Sequence, residues 1–136
     1  MKFSKILSLV AAMFVSGCCC SKASNPNNVE VVSPHEFQSR LSDDSQGYLL
    51  DVRKPQEFSA GHLRGAHLLD WLDTENFKKD APGIDKSKTV YIYCRSGRRS
   101  NAAANYLSKL GYTVVDMDGG ILAWEKEELP VTTDHQ

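Results

Sequence analysis

The chain has 136 residues, with 16 Lys and Arg against 17 Asp and Glu and a formal net charge of −1. That length suits one domain with a sizeable core, and the near balance of charge gives no reason to expect nucleic acid as a partner. No internal repeat or low-complexity tract is present. The chain opens on Met1-Lys2-Phe3-Ser4-Lys5, a basic start, and continues in an apolar run from Ile6 to Val15. The run is too short to span a bilayer as an ordinary helix, so the two together read as a secretory signal.

The run ends in Val15-Ser16-Gly17-Cys18, which resembles the bacterial lipobox. The resemblance implies cleavage of residues 1–17, a lipid on Cys18, and a protein anchored in the bacterial cell envelope, facing the periplasm or the exterior. Cys18, Cys19 and Cys20 are adjacent and do not form a spaced zinc site. Cys19 and Cys20 stay open between further acylation, disulfide linkage and spare thiols. Ser21 to Asn28 is polar and reads as a flexible tether, so that residues 18–28 carry the anchor, 29–132 the domain and 133–136 a tail. Only Cys94 lies within the domain, which therefore has no internal disulfide and stands on its hydrophobic core.

Within the domain, strand and helix signals alternate. Val29 to Val32 reads as a short strand. Ser33-Pro34-His35-Glu36 is a capping box with proline at the first helical position, Val32 can staple to Phe37, and a helix to about Leu41 follows. Tyr48 to Asp51 is a second strand, apolar and then abruptly acidic, and Pro55 to Ala60 a short helix ended at Gly61. Ala66 to Leu69 is a third strand, and a helix falls within Asp70 to Lys79. Thr89-Val90-Tyr91-Ile92-Tyr93, β-branched and aromatic, reads as a buried fourth strand. After the loop that follows, Ser100 to Leu110 has apolar residues at 103, 106, 107 and 110, one face of a helix, with Gly111 placed for a left-handed C-cap. Thr113 to Asp116 is strand five, Gly119-Gly120 a turn, and a last helix runs through Trp124, a core residue, to about Glu128. This alternation predicts an α/β fold with a mainly parallel sheet, whose ligands bind beyond the carboxyl ends of its strands.

Cys94-Arg95-Ser96-Gly97-Arg98-Arg99-Ser100 lies at such an end. A loop between strand and helix can turn successive N–H groups inward as an anion nest, and the helix N-terminus adds partial positive charge. With three arginines alongside, this environment favours the thiolate, which is the nucleophilic form of cysteine. The segment suits sulfur chemistry on an anion. Arg95 and Arg98 are the candidates to face a dianionic donor, with Arg99 free to turn inward and brace the loop. Asp51 and Arg53, at another strand end, read as architectural, and His62 as a packing and hydrogen-bonding residue. His35, His67 and His135 show no metal-ligand spacing.

The chain closely resembles the rhodanese family of sulfurtransferases in its single-domain form. The resemblance rests on Leu50-Asp51-Val52-Arg53, Glu57-Phe58, Gly61-His62-Leu63, Gly65-Ala66, Tyr93-Cys94-Arg95-Ser96-Gly97, Arg99-Ser100, Gly111-Tyr112, Gly119-Gly120 and Ala123-Trp124, in that order. It implies a five-stranded, mainly parallel sheet flanked by helices, with Cys94 as the catalytic nucleophile. Cys94 would take sulfane sulfur from a small anionic donor such as thiosulfate and pass it to a thiol or cyanide. The backbone from Arg95 to Ser100 would hold the persulfide, with no metal or organic cofactor, and a monomer is expected. Cysteine phosphatases share the strand–loop–helix logic, but place an arginine six residues after the cysteine. Here that position is Ser100 and the arginine is Arg99, a tighter loop better suited to a terminal sulfur.

Overall fold

The computed structural model describes residues 27–134. The signal, Cys18 to Cys20, nearly all of the tether, and His135 lie outside the described residues. Eleven elements alternate along the chain: β1 (Val29–Val32), α1 (Pro34–Asp43), β2 (Tyr48–Asp51), α2 (Pro55–Ala60), β3 (His67–Leu68), α3 (Thr74–Asp80), a 3-10 turn (Ala81–Gly83), β4 (Val90–Tyr93), α4 (Arg98–Lys109), β5 (Val114–Met117) and α5 (Gly120–Lys126). The five strands form one sheet in the order β1-β5-β4-β2-β3. Every pairing in that sheet is parallel.

Register and the two-residue alternation of a strand divide the side chains cleanly. Leu50, Val90, Ile92 and Val114 face one side and pack with Phe77 of α3 and Ala103, Ala104 and Leu107 of α4. Leu49, Tyr91, Tyr93, Val115 and Met117 face the other, with Phe37 of α1 and Ile121 and Trp124 of α5. β4 is buried at all four positions, as a central parallel strand covered on both faces must be.

Local signals set most boundaries. Ser33 caps α1 by accepting the Glu36 N–H at 3.3 Å, while the Glu36 carboxylate turns to Arg40, so only half of the expected capping box forms. Val32 and Phe37 do share one apolar cluster. α1 runs two residues beyond Leu41, and β3 shrinks to two residues at the sheet edge. α3 begins at Thr74 because Asp73 caps it, accepting the Asn76 N–H at 3.4 Å. α4 starts at Arg98, two residues earlier than the apolar periodicity suggests, because its first turn belongs to the loop rather than the core. Gly111 has φ +96°, as its place after α4 requires. α5 ends at Lys126 rather than Glu128, whose φ is +58°.

Candidate active site

Cys94 follows the last residue of β4, and its side chain is fully buried among the apolar residues beneath α4. Its Sγ accepts the Gly97 N–H at 3.1 Å. Gly97 reaches that position with φ +96°, a left-handed turn that reverses the chain into α4. The N–H groups of Arg98, Arg99 and Ser100 form the first turn of α4, where helix geometry gives them no intrahelical acceptor. The loop thus ends at a helix N-terminus, with the Gly97 N–H on the sulfur, an arrangement suited to an anion.

A second helix holds this loop from behind. The N–H groups of Ile121 and Leu122, at the start of α5, donate to the carbonyls of Cys94 at 2.9 Å and Arg95 at 3.1 Å. Gly120, with φ +60°, sits so close that a Cβ there would lie 2.4 Å from the Arg95 carbonyl oxygen. The Gly119-Gly120 turn is therefore part of the candidate site, although it lies far along the chain from Cys94.

The charges are sharply divided between free and committed. Arg95 and Arg98 are exposed, and neither makes an ion pair or side-chain hydrogen bond within the described residues. Ser96 is exposed between them. Arg99 is turned inward onto Glu57 of α2, with Nη1–Oε2 at 2.7 Å and Nη2–Oε1 at 2.9 Å. The guanidinium beside it, followed by the Lys54 N–H, holds the Glu57 carboxyl down at about 2. Glu57 is the functional residue that sequence reasoning missed: it was visible only as part of a motif, with nothing to reveal its partner. Ser100 is fully buried, its hydroxyl donating to the Gly97 carbonyl at 3.2 Å.

Asp51 and Arg53 meet at the neighbouring strand end. Arg53 donates from Nε and Nη2 to the Asp51 carboxylate at 2.8–3.0 Å and from Nη2 to the Gly61 carbonyl at 2.7 Å, and both residues are buried. Asp51 also accepts the Arg53 N–H at 2.9 Å. His62 stacks on Phe58 and bonds the Phe58 and Asp134 carbonyls, away from the sulfur. Trp124 is buried and donates to the Pro130 carbonyl at 3.0 Å. No group of three His, Cys, Asp or Glu is gathered as a metal site among the described residues.

The rhodanese-like domain family matches residues 33–127, an interval that contains the Cys94 loop, Glu57, Asp51, Arg53 and the Gly119-Gly120 turn. The chain belongs to that family. A sulfurtransferase of Allochromatium vinosum is 35% identical over 109 residues, covering 76% of this chain and 94% of its own. The Bacillus subtilis protein YtwF is 30% identical over 108 residues, covering 75% of this chain and 96% of its own. Among solved structures, a rhodanese-related protein from Thermoplasma volcanium superposes with a TM-score of 0.69 at 26% identity, covering 77% of this chain and 99% of that one. The rhodanese fold here is thus the five-stranded sheet with helices on both faces, and Cys94 stands at the carboxyl end of its central strand.

Proposed function

We propose that the protein is a sulfurtransferase that carries sulfane sulfur as a persulfide on Cys94, from thiosulfate or a related anionic donor to a thiol or cyanide. The observation that carries this reading is the buried sulfur held 3.1 Å from the Gly97 N–H at the foot of a loop flanked by two free arginines. The Cys94 thiolate attacks the outer sulfur of thiosulfate, a new S–S bond forms, and sulfite leaves with the electron pair of the broken bond. The acceptor then attacks the outer sulfur of the persulfide and Cys94 departs as thiolate, which closes a two-step covalent cycle. The loop amides stabilise the charge on the sulfur in both steps. Because Cys94 is fully buried, loading matters for access: the outer sulfur lies about 2 Å beyond Sγ, nearer the mouth where an acceptor arrives.

Phosphoryl transfer fits less well. Arg99 is committed to Glu57 by two hydrogen bonds, and Ser100 occupies the position six residues after the cysteine. The protein acts as a monomer held to the bacterial envelope by lipid on Cys18, a reading supported by the basic start, the short apolar run and Val15-Ser16-Gly17-Cys18. Cys18→Ala is expected to abolish lipid labelling; a variant still labelled and membrane-bound would overturn the anchor. For the chemistry, mass spectrometry after thiosulfate treatment is expected to show one added sulfur, about 32 Da, on the Cys94 peptide. Cys94→Ser should lose both the adduct and sulfite release, and full activity in that variant would refute the assignment.

A further inference from the structure

Among the described residues, Asp116 is the one buried charged side chain near the loop that the chemistry above leaves unused. It lies on β5 in register with Ile92 of β4 and Val31 of β1, so its carboxyl points to the face covered by α4, the face on which Cys94 is packed. It is 1% exposed, and its Oδ1 makes no hydrogen bond. An unsatisfied carboxyl oxygen in an apolar layer is costly and calls for a reason. The side chains of Ser100 and Asn101, in the first turn of α4, both bear on this carboxyl. Ser100 has a single hydroxyl proton, and it is given to the Gly97 carbonyl.

We propose that Asp116 is a positioning residue of the sulfur-transfer site, acting through the Ser100 hydroxyl on the carbonyl of Gly97, the residue whose own N–H faces the Cys94 sulfur. When Asp116 is protonated, its O–H can turn to Ser100 Oγ, and Ser100 keeps the bond to the Gly97 carbonyl that is seen here. When Asp116 releases that proton to solvent, the Ser100 hydroxyl rotates to the carboxylate. The Gly97 carbonyl then keeps only the bond it accepts from the Asn101 N–H, 3.1 Å long. Burial pushes the carboxyl up to about 6, against the lowering pull of Ser100 and Asn101, with Asp118 adding to the rise. The other charged groups on these elements are turned elsewhere: Arg99 to Glu57, Glu30 of β1 to Arg40, and Arg98 to the surface. Among the described residues, Cys94 and the tyrosines Tyr48, Tyr106 and Tyr112 are the other titratable groups packed on this face.

The proposal rests on the sulfurtransferase reading for its consequence on rate, but not for the coupling itself, and the experiment separates the two. In the full-length protein labelled with carbon-13 and nitrogen-15, the Asp116 carboxyl and the Gly97 amide are followed by NMR from pH 4.5 to 8. Both are expected to titrate with one midpoint at about 6. Asp116→Asn should flatten the Gly97 curve, and Ser100→Ala should flatten it while the Asp116 carboxyl still titrates. A limb near that pH in the kcat/KM of sulfite release should disappear in Asp116→Asn. A Gly97 amide that ignores the Asp116 titration, or follows it equally well in Ser100→Ala, would overturn the proposal. If Asp116→Asn does not fold, Ser100→Ala alone decides the coupling. Intact coupling in a protein that releases no sulfite would overturn the sulfurtransferase reading and leave the hydrogen-bond relay standing.

Discussion

Neutralising Glu57 by Glu57→Gln tests how much of the active site depends on a contact outside the Cys94 loop. The carboxylate receives three hydrogen bonds, two from Arg99 and one from the Lys54 N–H at 3.0 Å. Its value falls from 4.5 to about 2, caused first by the hydrogen bonds from Arg99. At about 1.4 kcal/mol per unit that shift corresponds to about 3 kcal/mol. The Arg99 and Glu57 side chains are 20% and 26% exposed, so solvent screening reduces it to about 1–2 kcal/mol. The sign follows from the depression: the stabilisation is complete above the unfolded value near 4.5 and is lost as pH falls towards 2. Urea unfolding of the variant at pH 7 is expected to show that loss, and the gap to wild type should narrow steadily as the pH falls from 4.5 to 3. A variant as stable as wild type at pH 7, or a gap unchanged at pH 3, would refute the assignment of this ion pair as the strut between α2 and the loop.

Three further outcomes follow from the same geometry. Asp116 has its value raised by burial to about 6, so the folded state binds its proton more tightly than the unfolded chain; relative to Asp116→Asn, wild type should lose about 2 kcal/mol as pH rises from 4 to 7, and parallel pH curves in urea unfolding would disprove it. Gly120→Ala puts a Cβ against the Arg95 carbonyl at positive φ; it should destabilise the fold by about 2 kcal/mol or more and cut sulfite release more than tenfold, and a wild-type thermal midpoint and rate would refute the role given to this turn. Arg95→Ala and Arg98→Ala should each raise KM for thiosulfate, more at low ionic strength than at high, and unchanged steady-state kinetics in both would leave the backbone as the sole anion site.

What could be read from the sequence was chiefly what is local. Tyr48 to Asp51 and Pro55 to Ala60 form the elements expected of them, because each is bounded by a proline, a glycine or an abrupt change from apolar to charged. The loop announced itself because thiol, glycine and arginines are contiguous. The missing pieces are long-range. Glu57 and Arg99 are 42 positions apart, and neither flanking sequence signals the other. Asp116 looked like the acidic end of a strand; only register, which sets it beside Ile92 under α4, shows that its carboxyl is buried. Periodicity also misplaced the start of α4, since only Ser100 of its first turn is buried: Arg98 and Asn101 are exposed and Arg99 pairs with Glu57.

The contribution of α5 shows why a reactive loop needs support from beyond its own residues. A short loop left to itself can turn either its carbonyls or its N–H groups towards the sulfur, and the carbonyls would repel an anion. Here the carbonyls of Cys94 and Arg95 are taken up by the N–H groups of Ile121 and Leu122. That fixes both peptides with their oxygens directed at α5, which leaves the donors of the loop to face the other way. The exchange is possible only because Gly120 lets the backbones meet at a distance no side chain would tolerate. It also satisfies two of the free N–H groups that begin α5, so the helix gains a cap while the loop gains its orientation. The electrostatics of the sulfur site are thus set as much by the Gly119-Gly120 turn as by the arginines beside Cys94.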